Sequence, residues 1–379
     1  MSTTDPTIAR VGGDTPTPAA ASAVSDRASR RASIEEAVLP PLVALLLAAV
    51  VGDVLILSFG QSPGAVYRLL VDGTWGNAYG FGQVLYKATT LVFTGLAVAL
   101  GLRAGLFNIG AESQLAAGGF CAAIVGLLLP VGIPSLLCLP IYILAAALGG
   151  GVVGAVPGVL KARFGAHEVI VTIMLNFIVL ALLNYLTSTR LHVPDTLHTA
   201  EIGSGVLPRV SDVVPSFQGS AANATILLAL LAMIALWWFL FRTRRGFELR
   251  AVGLQPHAAE YAGVHVGSVT WRALSISGAI AGIGGLNYVL GYKHYYEEGF
   301  ATGAGFLGIA VALVGRSHPI GIGLAALLFA TLSQGGLAVN ALVPKQMVDV
   351  LQAVVILAVA TSVPEVRRLL RGARRSAER

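Results

Sequence analysis

The feature that most constrains this chain is a series of about ten apolar runs, near residues 37–58, 82–101, 111–129, 134–158, 168–187, 222–241, 268–291, 299–315, 319–339 and 347–363. A helix needs roughly 20 apolar residues to cross a hydrocarbon core of about 30 Å. Inside lipid the backbone N–H and C=O groups must be satisfied within the segment, so runs of this length read as helices. A soluble domain carries about a quarter charged residues; here Asp, Glu, Lys and Arg together make 12%. The chain is therefore read as an all-α, polytopic membrane protein of about ten transmembrane helices. The eighth run is short and its edges are ill-defined.

Basic residues near span ends are retained in the cytoplasm, which orients the series. With both termini cytoplasmic, 19 of the 25 Lys and Arg fall on the inner side, five (Arg68, Arg190, Arg209, Lys293 and Lys345) fall outside, and Lys87 lies at or within the second span. The net charge of +6 thus follows from topology and does not imply nucleic acid. Residues 1–36, rich in Ser, Thr, Pro, Ala and Asp, lack the apolar core of a signal peptide and read as a disordered cytoplasmic tail. Residues 37–363 form the transmembrane domain, and 364–379 a basic cytoplasmic tail that anchors the last span. Cys121 and Cys138 sit in or beside apolar runs and read as small hydrophobes.

Polar groups inside such runs need partners or a polar path. The stretch GLFNIGAESQ, from Gly105 to Gln114, carries Asn108, Glu112 and Gln114 between two apolar runs, and its glycines allow the helical run to break there. In the fifth run Glu168, Thr172 and Asn176 share one helix face, either as part of a polar path or as interhelical glue. Glu168 also follows Lys161, Arg163 and His167, with which it can pair at the cytoplasmic edge. Lys87, Thr90 and Thr94 share a face of the second helix, turned into the bundle unless Lys87 snorkels outward. The tyrosines 288, 292, 295 and 296 at an outer end read as an interfacial belt.

Two loops stand out. The outer loop 188–221, with Pro194, Pro208 and Pro215, is either a docking surface or a solvated connector. The inner loop 242–266 is too polar to span. After Gly253, the run Pro256, His257, Ala258, Ala259, Glu260, Tyr261, Ala262 predicts a short helix that Gly263 stops, since proline suits a first helical turn. Such a helix either presses into a soluble partner or lies on the membrane surface. The seventh run, with Ser275, Ser277, Gly278, Gly282, Gly284 and Gly285, permits close helix packing. An internal echo joins the halves: Ala97-Val98-Ala99-Leu100 with Arg103 recurs as Ala310-Val311-Ala312-Leu313 with Arg316, and Ile109-Gly110 recurs as Ile322-Gly323.

A P-loop needs Gly-Lys followed by Ser or Thr, whereas Lys87, Lys161, Lys293 and Lys345 precede Ala, Ala, His and Gln. Clustered Cys or His ligands and a Gly-x-Ser-x-Gly elbow are also absent from the sequence, so no catalytic or metal site is expected.

Residues 101–120, 161–178 and 243–264, among them FNIGAE with its following Gln and the loop AAEYAG, together resemble the permease subunit of bacterial ATP-binding-cassette importers. The family is the branched-chain amino-acid and simple-sugar permease type, and the nucleoside branch is nearest. Ser113, Gln255 and His167 depart from residues common in that branch. The resemblance implies a multi-pass subunit of the bacterial cytoplasmic membrane that is not itself an enzyme and holds no cofactor. It also implies a second homologous permease in a heterodimer, cytoplasmic ATPase subunits carrying ATP and Mg, and an extracytoplasmic binding lipoprotein.

On that footing Asn108, Glu112 and Gln114, with Thr172 and Asn176, are the expected substrate path, because ribose hydroxyls and base edges need donors and acceptors. Phe107 either stacks on a base or packs between helices. Gly253, Pro256, Ala258, Ala259, Tyr261, Ala262 and Gly263 are the expected ATPase coupling residues. Two rival readings are a sugar or branched-chain amino-acid permease of the same family, and an ion-coupled secondary transporter that needs no ATPase.

Overall fold

The computed structural model describes residue 43, residues 46–344 and residues 346–358. The tails expected at 1–36 and 364–379, Lys345, and the outermost parts of the first and last runs lie outside the described residues. The described residues are built from helices: α1 Leu46–Ser58, α2 Pro63–Asp72, α3 Ala78–Arg103, α4 Ala111–Leu128, α5 Ser135–Phe164, α6 Glu168–Leu186, α7 Thr225–Arg242, α8 Arg244–Leu254, α9 Pro256–Tyr261, α10 Val266–Gly284, α11 Leu286–Val289, α12 Ala304–Val314, α13 Pro319–Ala338 and α14 Gln346–Ala358. Each predicted run therefore contains a helix. Six of them, α3, α4, α5, α6 with its extension to Leu191, α7 and α13 with its extension to Ala341, are long and apolar enough to cross a membrane; the bent pair α1–α2 makes a seventh if it is one span.

The remaining runs differ from expectation for identifiable reasons. The eighth is only the eleven-residue α12, about 16 Å long at 1.5 Å per residue and too short to span. Its approach, 292–303, is irregular, and Gly303 takes φ +79° directly before the helix. The seventh run breaks at Gly285 into α10 and α11. α2 was not predicted, and it leaves α1 at 111°.

α3 and α4 form the centre of the bundle. Their most apolar windows are 78% and 72% buried, against 28%, 17% and 22% for α5, α6 and α7. α5 and α10 pack so closely that a Cβ on Gly278 would stand 2.3 Å from the Gly150 carbonyl oxygen, and one on Gly282 2.3 Å from that of Ala146. Small residues at such a seam bring backbones into van der Waals contact, which drives helix association in lipid.

Residues 188–221 fold down onto the segment after α11. Thr199 N–H donates to the Tyr296 carbonyl at 2.9 Å, Ile202 N–H to that of His294 at 2.7 Å, and Leu207 N–H to that of Leu290 at 3.0 Å. The tyrosine belt needs correction in consequence. Tyr296 is 1% exposed and meets Phe120 edge-on at 5.2 Å and Phe300 at 5.4 Å. The covering loop converts that tyrosine from an interfacial anchor into core. Tyr288, Tyr292 and Tyr295 remain half-buried.

Candidate functional site

α3 ends where Gly105 adopts φ +71°, a left-handed conformation that a residue without Cβ takes at little cost. Leu106 N–H then bonds back to the Gly101 carbonyl at 2.9 Å, and residues 106–110 run without helix until α4 begins at Ala111. The expected break is therefore present, between the two most buried helices of the bundle. Buried irregular backbone of this kind needs partners from protein or water for its N–H and C=O groups.

Here side chains supply them. The Asn108 side-chain oxygen accepts from Gly110 N–H at 3.0 Å and from Gln114 Nε2 at 3.1 Å. Its amide nitrogen donates to Gln114 Oε1 and to Ser277 Oγ, both at 2.8 Å, and Ser277 in turn donates to the Ala97 carbonyl at 2.6 Å. Asn176 serves the other edge: its nitrogen donates to the Ile109 carbonyl at 2.9 Å, and its oxygen accepts from Ser113 N–H at 3.1 Å. Four helices, α3, α4, α6 and α10, are pinned to the unwound segment by three amide side chains and one hydroxyl.

Of the expected path residues, Asn108, Gln114 and Thr172 are fully buried and Glu112 and Asn176 nearly so, while Phe107 is half-buried. Thr172 bonds the carbonyls of Glu168 and Val169 in its own helix. Glu168 pairs with Lys161 at 2.6 Å. Glu112 reaches across the bundle, where its Oε2 accepts from Gly303 N–H at 3.1 Å, one residue before α12 begins. A carboxylate there complements the positive end of a helix dipole. In this conformation the polar groups of the stretch hold the break and the half-helix together. Lys87 lies along the bundle with its ammonium 3.4 Å from the Ser333 carbonyl, Thr90 accepts from Asn287 at 2.8 Å, and Thr94 packs under Gly308. That polar face looks inward.

The polar loop 242–266 forms two helices, α8 and α9, where only the second was predicted. Thr243 caps α8, accepting from Gly246 N–H at 3.0 Å, and Pro256 opens α9. Pro256, Ala258, Tyr261, Ala262 and Gly263 are exposed, with Tyr261 94% exposed. Gly253 and Ala259 pack against the protein's own backbone and bundle. Ala259 is 4% exposed, because one face of so short a helix must seat on the bundle. A Cβ on Gly253 would lie 2.2 Å from the Arg103 carbonyl oxygen, so the glycine is required for packing.

Sequence reasoning missed the roles of Ser277, Gly303 and Arg103. Ser277 was hidden in a run whose small residues read as packing. Arg103 donates from Nε to the Ser317 carbonyl at 3.1 Å and from Nη2 to that of Arg316 at 3.4 Å. The signal available for it was the internal echo, whose two copies end α3 and α12 side by side: a Cβ on Gly95 would stand 2.8 Å from Val311.

A family model described as the permease component of branched-chain amino acid transport systems matches residues 80–360. The guanosine ABC transporter permease protein NupP of Bacillus subtilis is 40% identical over 86% of this chain and 93% of its own length. The nucleoside ABC transporter permease protein NupB of Lactococcus lactis is 34% identical over 85% and 90%. The glucose ABC transporter permease protein TsgB13 of Haloferax volcanii is 32% identical over 85% and 87%. No solved structure matches the chain significantly.

Proposed function

The chain belongs to the family of branched-chain amino acid transport system permease components, and from that membership we propose that it is the nucleoside-translocating permease of an ATP-binding-cassette importer. The observation that carries the substrate class is the similarity to NupP, 40% over 86% of this chain and 93% of that relative. A sugar as cargo is the second reading, favoured by TsgB13 at 32%.

The proposed topology keeps ten crossings and both termini in the cytoplasm, with the short helix α12 and its irregular approach together filling one crossing. The membrane is the bacterial cytoplasmic membrane. Tyr261, projecting from α9 with Pro256, Ala258, Ala262 and Gly263 beside it, docks into a cytoplasmic ATPase subunit that holds ATP and Mg. A second, non-identical permease completes the path, and an extracytoplasmic lipoprotein delivers the cargo to it. Phe107, Asn108, Glu112, Gln114, Thr172 and Asn176 mark where the path opens during transport: their bonds fasten the break in the described conformation, and the same donors and acceptors suit ribose hydroxyls and base edges once released.

The test is uptake in proteoliposomes that hold the chain with its neighbouring permease, ATPase and binding protein. ATP-dependent import of labelled guanosine or adenosine is expected. Import of glucose or leucine in its place would move the cargo, and uptake by this chain alone along an ion gradient would overturn the reading.

A further inference from the structure

Four elements meet at the inner end of the bundle around one ring. Phe241, at the end of α7, has the Arg103 guanidinium 5.8 Å from its centroid, that of Arg250 on α8 at 5.2 Å, and the His318 ring at 5.8 Å. Both cations lie within reach of the attraction that an aromatic face offers them. Arg103 simultaneously holds the far side of the turn after α12, through its bonds to the carbonyls of Arg316 and Ser317. Those carbonyls are presented because Arg316 and Ser317 both take left-handed conformations, φ 54° and 50°. A planar guanidinium suits this place, since its fixed fork can serve two acceptors and stack on a ring together. The backbone of Arg103 is the floor of the Gly253 contact, so the coupling loop, the start of the unwound segment and the inner end of α12 all converge on one residue.

We propose that Arg103 is a positioning residue that ties the half-helix α12 to the coupling loop, so that movement of α8 and α9 is transmitted to α12 and the unwound segment as one body. This role rests on the proposed ATP-driven transport. α12 is the piece best placed to receive such a movement: it is short, its entrance at Gly303 is held by Glu112, and its exit is held by Arg103. Tied at both ends to the residues flanking the break, it cannot shift without disturbing them. The Arg103 tie is a pair of side-chain bonds to the turn after α12, whereas the Glu112 tie adds to the close packing of Gly305 on the Glu112 backbone.

The experiment uses the complete importer in proteoliposomes, reading guanosine imported per ATP hydrolysed. Arg103→Gln is expected to leave assembly and basal ATP hydrolysis intact while that ratio falls about tenfold, within the range that coupling between distant sites carries. Arg103→Lys, which keeps the charge and loses the fork, recovers part of it. Independently, Arg103→Cys with Ser317→Cys, in a background with Cys121 and Cys138 changed to Ala, is expected to regain the ratio when a short bismaleimide bridges the two positions. An unchanged ratio in Arg103→Gln, or no recovery on bridging, overturns the tie. Loss of the assembled complex in both Arg103→Gln and Arg103→Lys overturns it too, because Arg103 then serves the fold. If the unaltered importer shows no ATP-dependent uptake, the transport reading itself has failed, a result distinct from all of these.

Discussion

Replacing Asn108 by alanine removes the hub of the unwound segment. Three buried polar atoms lose their only side-chain partner: Gly110 N–H loses its acceptor, and both ends of the Gln114 amide lose theirs. Ser277 keeps its bond to Ala97. Leaving a buried polar group unsatisfied costs about 1–3 kcal/mol, and interhelical bonds in membrane bundles sit near the low end of such values, so Asn108→Ala should destabilise by about 2–5 kcal/mol. Gln114→Ala should cost less, about 1 kcal/mol, because Asn108 retains Ser277 and Gly110 as partners. The double variant should be no worse than Asn108→Ala, since the second change removes a group already orphaned. Reversible unfolding in lipid nanodiscs, followed by tryptophan fluorescence, measures all three. The reasoning is refuted if Gln114→Ala costs as much as Asn108→Ala, or if the two costs add, because in an additive pair the groups do not depend on each other.

Gly278→Ala should prevent stable insertion or assembly, because its Cβ meets the Gly150 carbonyl oxygen at 2.3 Å, whereas Gly267→Ala, with nothing nearer than 3.8 Å, should be tolerated; yield of monodisperse protein distinguishes them. Tyr261→Ala is expected to change stability by less than about 0.5 kcal/mol, as exposed side chains do, yet to weaken capture of the ATPase subunit at least about tenfold if this aromatic anchors the interface; a pull-down titration reads it.

The class of protein and the approximate place of every long helix were legible in the sequence, because a span announces itself by length and hydropathy alone. The break after Arg103 was legible too: polar side chains in an apolar context, with glycines beside them, left few other structures. Hydropathy could not distinguish lipid-facing from buried helices in the expected sense. α6, with mean hydropathy 2.4, is the most exposed, while α4, at 1.4, is 72% buried. Lipid demands apolar surface, whereas a protein interior accepts Gly, Ser and a bonded amide. The belt reading of Tyr296 failed similarly, since only the returning outer loop covers it.

The sequence by itself determined that this chain crosses a membrane in helices, breaks the helical run between two of them at 104–110, and presents a short helix on the polar loop at 242–266. Its periodicities report what is local: helix faces, caps and breaks. Tertiary structure alone decided which groups satisfy the break, that α12 is a half-helix, and that Gly253 and Arg103 join the inner loop to it. Asn108 finds Ser277 at a separation of 169 residues, and Arg103 finds Ser317 at 214. Partnerships across such distances leave no spacing in the chain; they are set by which helices lie side by side, and that is settled by the packing of whole surfaces.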